Sequence, residues 1–339
     1  MADIKVGIAG LGRIGKLHAE NIANQFPGVK LTAACSIIDS EREIAKNLFG
    51  IKDVFADYNE FIEKADMDAV VIVTSSPMHC EHITAALNAK KHVFTEKPLG
   101  VSVEECKTAE KAVEANPDQI FMIGFMRRYD PSYVYAKKKI DEGAIGTPYL
   151  VKGVDIDPVS AVEGVLKYSP ANGGLFIGMG SHEVDLQRWF LNSRPRTVYA
   201  IGGSYGYPEF SQAGDIEVGC ALYEFENGAM GMMHAGRTAP HGYHIETEIV
   251  GTEGSIRISP IPRKNLAEIY NKNGVLIECV EDFRERFSES FKLEMAEFFN
   301  CIRENRKPHV TVYHGTEAVA IVESTLKSFK SKKIVTIQY

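Results

Sequence analysis

The feature that most constrains this chain is the grammar of its first 125 residues, where five short apolar runs are separated by helix-like stretches. "IKVGIAG", "LTAAC", "AVVIVTSS", "HVFTEKP" and "IFMIGF" read as strands, and the first four are each followed by a helical pattern such as "HCEHITAALNAK" or "SVEECKTAEKAVEAN". Strands linked through helices run parallel, and the crossover is right-handed in nearly every such unit. The order predicts a doubly wound parallel sheet, covered on both faces, with ligands at the carboxyl ends of its strands.

The first of those ends is "GIAGLGRIG", which places Gly10, Gly12 and Gly15 in GxGxxG spacing between a strand and a helix. Gly10 allows the tight turn, Gly12 lets a pyrophosphate approach the backbone, Gly15 permits close helix packing, and the helix N-terminus attracts phosphate. A merely tight βα turn is the plainer alternative, but the strand-turn-helix setting favours a dinucleotide. The acid expected about 20 residues further on, to grip the adenosine ribose, is absent. Ser36 stands there, with Asp39 able to reach the ribose only from a displaced loop. Arg13 and Arg42 are near in sequence, but neither directly follows the strand. The expected cofactor is NAD, with NADP second.

Beyond residue 125 the pattern changes. "TPYLVKGVDID", "RTVYAIGGS", "IEVGCALYEFENGAMGMMHAG", "HIETEIVGTEGSIRIS" and "LAEIYNKNGVLIECV" are β-rich, and ENG, TEG and KNG are hairpin turns. They predict an α+β domain built on a large, mostly antiparallel open sheet. A chain of 339 residues exceeds one ordinary core. The expected division is 1–125 and 126–339, with the two closing helical segments packing back near the first domain. One layer of helices covers one face of a sheet, so the other face should pair subunits in a dimer or tetramer.

Charge narrows the partner. The net charge is -7 with Lys and Arg spread along the chain, which argues against nucleic acid and anionic membranes and for a small molecule. No apolar run reaches the roughly 18 residues of a membrane span, and the chain enters a strand pattern without a signal-peptide pattern, so a cytoplasmic protein is expected. The six cysteines are scattered without a CxxC pair, as reduced packing residues would be.

Three further stretches carry chemistry. Lys97 in "EKP" follows an apolar strand at the ligand end of the sheet, although solvated loop lysines are common. "GFMRRYDP" puts Met126 and Arg127 at the next strand end. "GGLFIGMGSHEVDL" reads as a glycine-rich helix start leading to His182, where glycine makes sense mainly if backbone must come close to something. Asp155 and Asp157 alternate along one strand and so share a face, suited to vicinal hydroxyls or equally to solvent. His182 could act as a base or merely fill space. A metal site from His182, Glu183 and Asp185 is not expected, since consecutive helical positions face different directions.

Together "GLGRIG", "VTSSPMH", "EKPLG", "GFMRRYDPSY", "GSHEVDLQRW" and "EIVGTEGSIRI" resemble the Gfo/Idh/MocA oxidoreductases over nearly the whole chain, and within them the inositol 2-dehydrogenases. The resemblance implies that Gly10, Gly12, Arg13 and Ile14 cradle the pyrophosphate, with Ser36 near the adenosine ribose. It places Thr74, Ser75, Pro77 and His79 along the ribose and nicotinamide, with Glu96, Lys97, Met126 and Arg127 completing the cofactor contacts. Lys97, Arg127, Asp155, Asp157 and His182 would contact the polyol, with Lys97 and His182 catalytic. It implies an NAD-dependent dehydrogenase that oxidises a ring hydroxyl of myo- or scyllo-inositol during inositol catabolism, as a homotetramer in the family pattern. A dehydrogenase of another cyclic polyol or sugar, a catalytically impaired cofactor-binding regulator, and an NAD-dependent glycosidase are the rival readings. The family pattern has aspartate four residues before the histidine; here that position is Gly178.

Overall fold

A computed structural model describes residues 3–169, 172–259 and 262–339. The chain forms two compact units: residues up to Met126 together with Phe291–Val319, and Arg127–Ser290 together with Ala320–Tyr339.

The first unit alternates β1 (Ile4–Ala9), α1 (Arg13–Gln25), β2 (Val29–Cys35), α2 (Asp39–Phe49), β3 (Asp53–Phe55), α3 (Tyr58–Lys64), β4 (Ala69–Ile72), α4 (His79–Asn88), β5 (His92–Glu96), α5 (Val103–Ala115) and β6 (Phe121–Gly124). All six strands pair in parallel, in the order β3-β2-β1-β4-β5-β6. The inner strands carry consecutive buried apolar residues, among them Val70, Val71, Val93, Phe94, Met122 and Ile123, because helices cover both faces. Strand order reverses between β1 and β4, and such a switch point is where doubly wound sheets bind ligands. β3 was not among the expected strands; three residues are too few to show a period.

The second unit contains α6 (Pro131–Asp141), β7 (Pro148–Pro158), α7 (Val162–Tyr168), α8 (Gly174–Gly178), α9 (Gly180–Leu191), β8 (Pro195–Gly203), α10 (Glu209–Gln212), β9 (Val218–Phe225), β10 (Met230–Ala239), β11 (His244–Gly251), β12 (Ser255–Ile258), β13 (Arg263–Asn271), β14 (Gly274–Cys279) and α11 (Phe283–Arg286). Next come α12 (Ser288–Glu304) and α13 (Val312–Ser331), in each of which the chain passes from one unit to the other, and then β15 (Val335–Thr336). Its main sheet runs β12-β11-β7-β10-β9-β8-β15, antiparallel except where β10 meets β7. The ENG and TEG turns join strands of this sheet as expected, whereas KNG joins β13 to β14 in a separate two-stranded ribbon.

α9 lies on one face of the large sheet, made close by glycine. A Cβ on Gly153 of β7 would fall 1.8 Å from Glu183 Oε2, and one on Gly231 of β10 would fall 2.1 Å from Gln187 Oε1. The opposite face exposes Tyr199, Ile201, Leu222, Met230 and Met232. The stretch that reads as one helix is divided: α8 ends at Gly178 and α9 begins at Gly180. Among the described residues no helix is long and apolar enough to cross a membrane.

Candidate active site

In the first unit the glycine loop closes β1 onto α1. Gly10 has φ +88, and a Cβ there would lie 2.4 Å from the Val73 carbonyl oxygen at the end of β4; a Cβ on Gly15 would lie 2.0 Å from the Gly10 carbonyl oxygen. Both positions admit only glycine. Gly12, at the N-cap of α1, is open by contrast, its Cβ position meeting only Glu41 Oε1, at 3.7 Å. Backbone held tight on two sides and bare on the third, at a helix N-terminus, fits the pyrophosphate of a dinucleotide. Arg13 is exposed and Ile14 half-buried in the first turn of that helix.

At the end of β2, Ser36 is buried and donates its Oγ hydrogen to Glu41 Oε2 at 2.7 Å. The same carboxylate oxygen accepts the Leu11 N–H of the glycine loop at 3.0 Å. The acid beside the loop is thus Glu41, from the first turn of α2. Asp39 is 90% exposed and pairs with Arg42, which also donates to the Ser36 carbonyl oxygen.

The loop after β4 exposes Ser75 and Pro77, while Thr74 is half-buried with its hydroxyl 3.0 Å from His82 Nδ1. His79 is turned inward: its ring nitrogens lie 2.7 Å from the Pro98 carbonyl oxygen and 3.0 Å from that of Thr74. Burial pushes its pKa down against the pull of those carbonyls, and a neutral ring donates to one of them. His79 therefore ties this loop to the turn after β5 and positions backbone, rather than presenting its ring to a ligand.

Lys97 is half-buried on that turn, its backbone N–H donating to Glu96 Oε2 at 3.1 Å. The Glu96 side chain faces inward, with Oε1 2.8 Å from His18 Nε2. Glu294 of α12, wholly buried, completes the cluster, the ligand atoms of the three lying within 4.8 Å of one another. Burial, then the neighbouring charge of Glu96, pushes Glu294 well above the usual carboxylate range, so it is held protonated. The acid of EKP is thereby an internal anchor for the turn that carries Lys97. Met126 is buried at the start of the next turn.

The second unit holds the other predicted residues. Arg127 is 1% exposed and donates to Asp155 Oδ2 at 2.7 Å, to Tyr243 Oη at 3.3 Å and to Glu183, with its guanidinium over the Phe287 ring. Burial opposes the Arg127 charge, but Asp155, Tyr243 and Glu183 outweigh it, so the guanidinium stays charged. One cation cannot fully serve two buried acids. Burial therefore pushes Glu183 up to about 7, Arg127 restraining the rise and Asp155 adding to it. Arg128 makes a bidentate pair with Asp185 at 2.7 and 2.6 Å. The two arginines of "MRRY" thus clasp the two acids of "SHEVD", and His182, buried and directly before the first of those acids, is carried on a helix anchored at Glu183 and Asp185.

Asp155 and Asp157 share one strand face but not one environment. Asp155 is buried and its Oδ1 has no hydrogen-bond partner among the described residues, whereas Asp157 pairs with Arg237 at 3.0 Å. Arg237 also donates to Ser169 Oγ at 2.8 Å. Gly178 is not on the helix of His182, and a Cβ there would point at Arg237 Nη2, 3.8 Å away. Met179, between the two helices, keeps right-handed helical backbone, but the His182 N–H bonds to the Met179 carbonyl oxygen three residues back, so the turn from 178 to 182 is irregular.

Sequence reading missed Glu41, His18, Glu294, Arg128 and Tyr243, and weighed Glu183 and Asp185 only as metal ligands, not as partners of the arginines. Only the charge complement of "MRR" with "HEVD" could have signalled any of them, since the others meet through strand order.

A six-stranded parallel sheet with a glycine loop beside its switch point, followed by a mixed sheet bearing buried acid-arginine pairs, defines a dinucleotide-dependent oxidoreductase of two domains. Residues 4–125 match the oxidoreductase family described as having an NAD-binding Rossmann fold, and residues 133–257 match the GFO/IDH/MocA C-terminal domain. The chain belongs to the GFO/IDH/MocA oxidoreductase family. It is 34% identical to a scyllo-inositol 2-dehydrogenase (NAD(+)) of Bacillus subtilis over 97% of this chain and 95% of that protein. Among solved structures, it is similar to scyllo-inositol dehydrogenase of Lactobacillus casei with bound NAD(H) and scyllo-inositol, at 40% identity and TM-score 0.96 over 98% of this chain and 99% of that one. It is likewise similar to myo-inositol 2-dehydrogenase of Lactobacillus plantarum, at 37% identity and TM-score 0.97 over 99% and 100%.

Proposed function

We propose that the protein is an NAD-dependent dehydrogenase that oxidises a ring hydroxyl of scyllo- or myo-inositol to the corresponding ketone. The observation that carries this reading is similarity along the full chain to an enzyme whose structure holds NAD(H) and scyllo-inositol. NAD, when bound, supplies the hydride acceptor. His182 takes the hydroxyl proton, a task an imidazole performs well near neutral pH. The Lys97 ammonium stabilises negative charge developing on the reacting oxygen. Asp155 Oδ1 accepts a hydrogen bond from a ring hydroxyl, while Arg127 holds that carboxylate in place. Gly10, Gly12, Arg13 and Ile14 bind the pyrophosphate through the loop and helix N-terminus, and Thr74, Ser75 and Pro77 line the far side of the same strand ends. The protein works in the cytoplasm, in inositol catabolism, as a homo-oligomer assembled through the exposed face of its large sheet.

A second reading, a cofactor-binding regulator with impaired catalysis, is favoured by Gly178, where the family pattern has an acid. Incubation of the purified chain with NAD and each inositol isomer, following the absorbance of the reduced cofactor, separates the two. Reduction with scyllo- or myo-inositol is the expected result. NAD binding without reduction by any inositol isomer or hexose would favour the regulator.

A further inference from the structure

We propose that Glu41 reads the adenosine ribose of the dinucleotide and sets the preference for NAD over NADP, a role that the end of β2 does not fill in this chain. The inference rests on the proposed use of NAD and goes beyond it, to the residue that makes the choice.

The argument begins with strand register. β1 and β2 are adjacent and parallel, with Ala9 opposite Cys35, so the loops that leave their carboxyl ends lie side by side. A carboxylate at the end of β2 would accept hydrogen bonds from the ribose diol and repel a 2′-phosphate. Ser36 occupies that position and carries no charge to repel a phosphate; its hydroxyl hydrogen is given to Glu41 and its oxygen already accepts from the Ile38 N–H. Glu41 lies one turn into α2, where the helix N-terminus favours an acid.

Two donors fix its orientation. Oε2 accepts from Ser36 Oγ at 2.7 Å and from the Leu11 backbone N–H at 3.0 Å, which locks the carboxylate to both loops at once. Oε1 is left on the side of Gly12, 3.7 Å from where a Cβ would stand. An oxygen at the bare face of the glycine loop is in place to accept from a hydroxyl of the sugar beside the pyrophosphate. The nearest candidate for binding a 2′-phosphate, Arg42, is already tied to Asp39 and to the Ser36 carbonyl oxygen. Serine at the strand end and glutamate five residues later thus act as one device, the serine aiming a carboxylate that the strand itself does not supply.

The test is calorimetric binding of NAD, NADP and NAD lacking the adenosine 2′-hydroxyl to the parent protein, Glu41→Gln and Glu41→Ala. The glutamine variant keeps size and shape, and its thermal melting temperature checks that the fold is kept. The parent should bind NAD about tenfold or more tighter than the 2′-deoxy analogue, the usual scale of a hydrogen bond to a charged group. In Glu41→Ala that ratio should fall to about one, and in both variants the NADP-to-NAD ratio of dissociation constants should drop by about tenfold as the repulsion is removed. Ratios unchanged within about twofold in folded variants, where a lost charged hydrogen bond should show clearly, would overturn the role of Glu41 while leaving NAD use intact. A parent that binds neither dinucleotide would sink the proposed function and this assignment with it.

Discussion

Gly178 shows how much a single position depends on its surroundings. Its Cβ direction leads to Arg237, which already holds Asp157 and Ser169. An aspartate there would take a share of that guanidinium instead of orienting the imidazole. Gly178→Asp is therefore expected to keep or raise the melting temperature, since the new carboxylate finds a cation and glycine is the weaker helix former. Its effect should fall on KM for the polyol through Asp157, with the pH profile of kcat unmoved. A shifted acid limb of kcat in the variant would mean that position 178 does act on His182.

Glu183, two positions from Ser181 and next to His182, makes a different prediction at the same scale. Its carboxyl is raised from 4.5 to about 7, chiefly by burial. A group raised on folding contributes stability that is fully present below its unfolded pKa and is lost as pH rises through the folded one. The window is thus 4.5 to about 7. Glu183→Gln removes this titration, so its melting temperature relative to the parent should climb between those limits in a calorimetric pH series. A constant difference across the window would show that Arg127 holds Glu183 ionised throughout.

At the scale of elements, the seating of α9 on the sheet is decided by what is missing from the strands. Gly153 on β7 leaves room for the Glu183 carboxylate, and Gly231 on β10 for the Gln187 amide. Any side chain at 153 must displace a buried group that is paired to Arg127. Gly153→Ala should cost about 1–3 kcal/mol by overpacking, read as a fall in melting temperature, and should weaken polyol binding because α9 carries His182. An unchanged melting temperature would show that the helix can lift from β7 freely. The irregular turn at Met179 belongs to this scale too: α8 and α9 meet there through a tightened hydrogen bond from the His182 N–H to the Met179 carbonyl oxygen, which a 3.6-residue period carried across both could not reveal.

At the scale of the whole molecule, the exposed face of the large sheet calls for a partner. Tyr199, Leu222 and Met232 lie directly opposite one another across β8, β9 and β10, with Ile201 and Met230 beside them. Single exposed apolar side chains are ordinary, but a contiguous patch on an ordered sheet marks an interface. Leu222→Lys should shift the assembly towards monomer by light scattering while leaving the melting temperature of the isolated protomer nearly unchanged. A parent that is monomeric from the start would refute the assembly.

The local chemistry of this chain was legible in its order of residues. Alternation of apolar runs and helical patterns specifies a parallel sheet because period and length depend only on neighbours along the chain, and GxGxxG specifies its turn because backbone conformation is a local property. The hairpins at ENG and TEG were readable for the same reason. What lay outside reach were the pairings between segments far apart: Glu41 at the glycine loop, His18 with Glu96 and Glu294, Arg127 with Asp155 and Glu183. Each joins groups whose meeting depends on strand order and helix seating, and burial then alters their charge. Sequence by itself thus determined that a carboxylate was missing at Ser36; only the packing of α2 against the loop decided where one would stand instead, because a side chain's reach is set in space and not along the chain.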